Sequence, residues 1–91
     1  MKIISKARIL IRPNDIVFVP TTIGTFLNDE DFEFKLSNQL NSNTKLIYKG
    51  FKYGSNNELF IGLMNMSNKI EDYIIKKGQL LGFVKDYEES K

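Results

Sequence analysis

The chain has no cysteine and no histidine among its 91 residues. Without cysteine there is no thiolate zinc site, no disulfide framework and no thiol nucleophile. Without histidine there is no Ser-His triad and no imidazole acid–base chemistry. No apolar run approaches the roughly 18 residues that span a bilayer, and no membrane partner is expected. The opening Met1-Lys-Ile-Ile-Ser-Lys-Ala-Arg8 carries a charge every few residues where a secretory signal has an apolar core. A soluble protein, intracellular or virion-associated, is the expectation.

Charge of one sign is also scarce. Thirteen basic residues face 11 acidic ones, and the net +2 does not imply a polyanion partner. Helical periodicity is missing too: no i, i+3, i+4, i+7 apolar pattern persists for three turns. The best helical candidate, Phe34 to Leu40, is short and polar. What the chain does have is 42% hydrophobic residues, ordinary for a globular protein, and a length that allows one domain. We take residues 1–85 as that domain and 86–91 as a charged, frayed tail.

Short period-2 segments separated by turn residues fill the domain. Lys2 to Ile11 reads as one strand, with Ala7, Ile9 and Ile11 on one face and Lys6, Arg8 and Leu10 on the other. Arg12-Pro13-Asn14-Asp15 is a turn, with Pro presetting φ. Ile16 to Val19 is a second strand that Pro20 stops or places at an edge, and the two segments read together as a hairpin. Phe32 to Leu36 alternates. Ser37 to Thr44 reads as a polar loop, Lys45 to Tyr48 as a short strand, and Gly50 to Asn57 as another connection.

The stretch from Glu58 to Val84 is the most informative. It reads as three strands parted by turns at Asn65 to Lys69 and Lys76 to Gln79. Six to eight strands at this spacing predict an all-β barrel or sandwich.

Leu59 to Met66 is apolar on both faces, as in a strand between two packed layers or at a subunit contact. Leu59, Ile61 and Leu63 are expected in the core. Phe60, Met64 and Met66, on the other face, are the candidate oligomer interface, because methionine adapts well to contact surfaces. Lys45, Tyr48, Lys49, Phe51, Lys52 and Tyr53 interleave cations with aromatics, the way small barrels hold single-stranded nucleic acid. The plainer reading of that stretch is a strand edge whose lysines discourage aggregation, and it is preferred. Asp29-Glu30-Asp31 with Glu33 lacks the spacing of a calcium loop and reads as a solvated turn. No cofactor or metal is expected.

Three elements carry a resemblance. They are Ile61-Gly-Leu-Met-Asn-Met-Ser67, Asp72-Tyr-Ile-Ile75 and Lys77-Gly78-Gln-Leu-Leu81-Gly82, preceded by the proline-bearing turn in Ala7 to Val19. Together they resemble the dUTPase-like β-barrel family over about two-thirds of the chain. The resemblance implies a small dUTPase-like β-barrel that assembles as a homotrimer. It does not carry the family's chemistry over. Tyr48-Lys49-Gly50 stands where a Tyr-x-Gly segment would need an aspartate before it, and no acid lies between Phe34 and Asn57. Leu36 to Thr44 has no arginine for a phosphate loop, and Phe83 occupies the position of the family's glutamine. The chain thus resembles the non-catalytic members of viral and retroelement polyproteins, which implies a structural or protein-interaction role and no enzyme activity. Two alternatives stand beside it: a small nucleic-acid-binding barrel, and a fragment of a nucleotide diphosphatase whose catalytic motifs lie elsewhere.

Overall fold

The computed structural model describes residues 1–24, 33–42, 46–55, 58–66 and 71–84. The protein is all-β: the described residues form eight strands and one turn of helix, with the strands in three antiparallel sheets. The strands are β1 (Lys2–Ile4), β2 (Ile9–Ile11), β3 (Ile16–Gly24), β4 (Phe34–Leu36), β5 (Leu46–Tyr53), β6 (Glu58–Asn65), β7 (Tyr73–Ile75) and β8 (Leu80–Val84). The helix α1 is Asn38–Ser42. The expected tail, 86–91, lies outside the described residues, as does the acidic turn at 29–31.

Pairing is nested. β1 pairs with β8, β2 with β7 and β3 with β6, so the first three strands run back along the last three in reverse order. β4 joins β8 and β5 joins β6, giving sheets β1–β8–β4, β2–β7 and β3–β6–β5. The three-stranded sheets meet along two seams. At one, Ser5 bridges Thr21 and the Lys6 N–H donates to the Pro20 carbonyl at 2.9 Å. At the other, the Phe34 ring of β4 meets the Tyr48 ring of β5, centroids 4.7 Å apart. Every sheet sends side chains into one core that includes Ile3, Ile11, Val19, Ile61, Ile75 and Leu81.

Several expectations are corrected here. Lys2 to Ile11 is two strands, because Ser5 folds the chain on itself: its Oγ donates to the Ala7 carbonyl at 2.6 Å. The alternation of faces survives the bend, so the pattern gave no sign of it. The opening segments are not a hairpin. The Arg12–Asp15 turn does form, with the Asp15 N–H donating to the Arg12 carbonyl at 3.0 Å and Asn14 at φ 66°. It is a corner that carries the chain from the β2–β7 sheet to the β3–β6–β5 sheet.

Pro20 does not end β3, which runs on to Gly24. The strand lies at the edge of its sheet, where a missing N–H is tolerated. Gly50 does not begin a loop either. It sits in β5 at φ 96°, and the register slips by one residue between Tyr48 and Phe51. That is a β-bulge with glycine supplying the left-handed residue.

Within the expected loop Ser37 to Thr44 there is a turn of helix. Ser37 caps it, its Oγ accepting from the Gln39 N–H at 3.3 Å, and Leu40 plugs the core with no exposure.

Candidate functional site

β6 positions the candidate interface. Its two faces differ as the pattern predicts, with Leu59, Ile61 and Leu63 fully buried and Phe60 and Met64 half-buried on the outer face. Met66 lies just past the strand end, 38% exposed. Register extends this outer face across three strands. Ile16, Met64 and Ile47 are direct cross-strand neighbours in one row, and Pro20, Phe60 and Lys52 form another. Between them Phe18 lies over Gly62, where a Cβ would come within 2.9 Å of its ring. Ile16 and Ile47 are 49% and 42% exposed.

The Lys52 ammonium lies 4.5 Å from the Phe18 centroid and 5.9 Å from that of Phe60. A cation over an exposed ring contributes roughly 0.5–1 kcal/mol. More to the point, it covers the Phe60 end of the face and leaves the Ile16–Met64–Ile47 row open. Ile16, Phe18 and Ile47 were not singled out from the sequence. Parity would have found them, since Val17 and Val19 in β3 and Leu46 and Tyr48 in β5 face inward and their neighbours cannot.

One end of this face is tied down by a buried asparagine. Asn65 closes β6, and its Nδ2 donates to the Ile11 carbonyl at 3.0 Å and to the Glu71 carbonyl at 2.9 Å. Its own N–H donates to the Asp15 carbonyl at 3.2 Å, while its carbonyl accepts from the Asn14 N–H. The end of β6, the corner before β3 and the approach to β7 are therefore fixed to one residue, through its backbone and its side chain. At the other end Lys6 and Glu58 form an ion pair of 3.0 Å.

The basic-aromatic stretch is divided by the pleat. Tyr48, Phe51 and Tyr53 are half-buried and pack against the core, whereas Lys49 and Lys52 are exposed. Lys45 lies outside the described residues. Aromatics turned inward cannot stack on a base that the lysines attract from outside. Burial also pushes the Tyr48 phenol above its usual pKa of 10.0, by desolvating the phenolate.

Among the described residues, hollows lie elsewhere as well. One of about 240 Å³ is lined by Arg8, Leu10 and Ile74, the last two being direct partners on the outside of β2–β7. Another, about 450 Å³, is lined by Glu33, Phe34, Lys35, Phe83 and Val84. Among the described residues no three carboxylates gather as a metal site would require. No helix of the described residues is long and apolar enough to cross a membrane. Comparison of the chain with protein-family models, curated proteins and solved structures finds no match.

Proposed function

We propose that the protein is a non-enzymatic, dUTPase-like β-barrel that acts as a homotrimeric structural or protein-interaction module of the viral or mobile-element kind. The observation that carries the reading is the outer face of β3–β6–β5. Ile16, Phe18, Pro20, Ile47, Phe60 and Met64 share it, and two of its isoleucines are over two-fifths exposed. An apolar face of this breadth on a small domain marks a contact surface. Covering one Phe or Met contributes roughly 1.5–3 kcal/mol, and a closed ring repeats the gain at each interface.

The threefold state comes from the resemblance in Ile61 to Gly82, whose Lys-Gly element is a real turn at Gly78. Gly78 stands at φ 84° in a turn closed by the Gln79 N–H on the Lys76 carbonyl at 3.1 Å. Only a residue free to take positive φ serves there, which is the physical content of the Lys-Gly element.

Light scattering tests the reading directly. A trimeric mass and a melting temperature that rises with concentration are expected. Phe60→Asp or Met64→Asp yields monomer or unfolded chain, because each puts an unpaired charge in the contact. Ile47→Asp, at an exposed position, yields folded monomer and separates the two outcomes. A wild type that stays monomeric at high micromolar concentration overturns the association reading.

A further inference from the structure

On the β1–β8–β4 sheet the register sets Phe83 directly between Lys2 and Lys35. Direct cross-strand partners project to one face, and all three are exposed, Phe83 by 42%. The ring has no part in the core, which β8 serves through Leu81 and Val84. Neither lysine has an ion-pair partner among the described residues, where the ion pair found joins Lys6 and Glu58. Beside the ring opens the groove of about 450 Å³, which Lys35 also lines.

We infer that the Lys2–Phe83–Lys35 row binds single-stranded nucleic acid, with a base stacked on Phe83 and the adjoining phosphates on the two ammonium groups. Three features meet that chemistry. An exposed aromatic offers a stacking surface to any base. Two cations stand astride it, about 10 Å apart across two strand spacings, and their long stems swing inward. An anion between them offsets the repulsion that the row otherwise carries.

The net charge of +2 does not weigh against this, because the field that matters is that of two local cations. An acidic peptide would use the lysines and leave the ring unused, which makes nucleic acid the better fit. This site is independent of the apolar face of β3–β6–β5. It also differs from the Lys45 to Tyr53 stretch, whose rings point into the core.

The test is fluorescence anisotropy of a labelled oligodeoxythymidylate with the full chain at low salt. Weak binding is expected, with a log–log salt slope of about −1.4, roughly −0.7 for each of two phosphates. Lys35→Gln or Lys2→Gln halves that slope. Phe83→Leu keeps the apolar bulk but removes the π face, and weakens binding roughly ten-fold. Thermal melts check that these exposed positions leave the fold intact. No binding at low salt overturns the proposal. So does binding that Phe83→Leu leaves unchanged, or a polyglutamate that competes equally well against wild type and Phe83→Leu.

Discussion

The two three-stranded sheets use one device on opposite faces. Each has a central strand with a glycine under an aromatic ring from an edge strand: Gly62 of β6 under Phe18, and Gly82 of β8 under Phe34. Gly82 faces inward, in the row of buried Ile3, so Phe34 is pressed into the interior and reaches Tyr48 across the seam. Gly62 faces outward, so Phe18 is pinned on the surface, where it meets Lys52. The first glycine lets the two three-stranded sheets meet at that seam. The second holds a ring still on the face we assign to association, and a ring already ordered loses little entropy when a partner covers it.

The comparison can be broken most severely at Gly82. A Cβ there would collide with the Lys35 backbone carbonyl as well as with the Phe34 ring. Backbone cannot swing aside as a side chain can. We expect Gly82→Ala to cost roughly 3 kcal/mol or more, read as a large drop in the denaturant midpoint. Adding Phe34→Ala should not restore it, because the carbonyl remains. An unchanged midpoint for Gly82→Ala would show that β4 is not held against β8.

Gly62→Ala should do less. Its Cβ would meet Phe18 at 2.9 Å and the carbonyls of Gly50 and Lys49 at 3.1 and 3.3 Å, the last two tight but not prohibitive. The expected cost is about 1–2 kcal/mol, and here the second-site change Phe18→Ala should recover part of it. That rescue, present at one glycine and missing at the other, is the sharpest form of the contrast. Equal rescue at both positions would mean that the two glycines do the same job.

Half of this was legible in the residues. Glu58 to Val84 was expected as three strands, and β6, β7 and β8 are there, because continuous apolar runs and a Lys-Lys-Gly-Gln turn mark strand and corner by local chemistry. The all-β class followed from the same signals. The partners of those strands were not legible. Nested pairing brings β1 to β8 across nearly the whole chain, and nothing local in Lys2 to Ile4 names that neighbour. The bend at Ser5 hid behind an unbroken alternation. The helix hid because a single capped turn around Leu40 is too short to show a period.

Site residues divide in the same way. The two faces of β6 could be told apart by parity, and Leu59, Ile61 and Leu63 are in the core as expected. The Lys2–Phe83–Lys35 row could not be seen, since its members lie on three strands that only the register aligns.

The smallest effect we expect sits at the seam that Gly82 permits. Burial raises the Tyr48 phenol above 10.0, with desolvation of the phenolate as the cause. Below pH 10 the phenol is protonated in both the folded and the unfolded chain, and its contribution to stability is complete. As pH rises past 10 the unfolded chain releases this proton while the folded chain keeps it, so stability falls until the folded pKa is passed. The quantity to measure is the difference between wild type and Tyr48→Phe, which isolates this one group. Denaturant midpoints should run parallel below pH 10, and above it the wild type should lose stability relative to the variant. Curves that stay parallel throughout would mean that Tyr48 is as hydrated in the folded chain as in the unfolded one, and the seam would then be open to water rather than closed by Phe34.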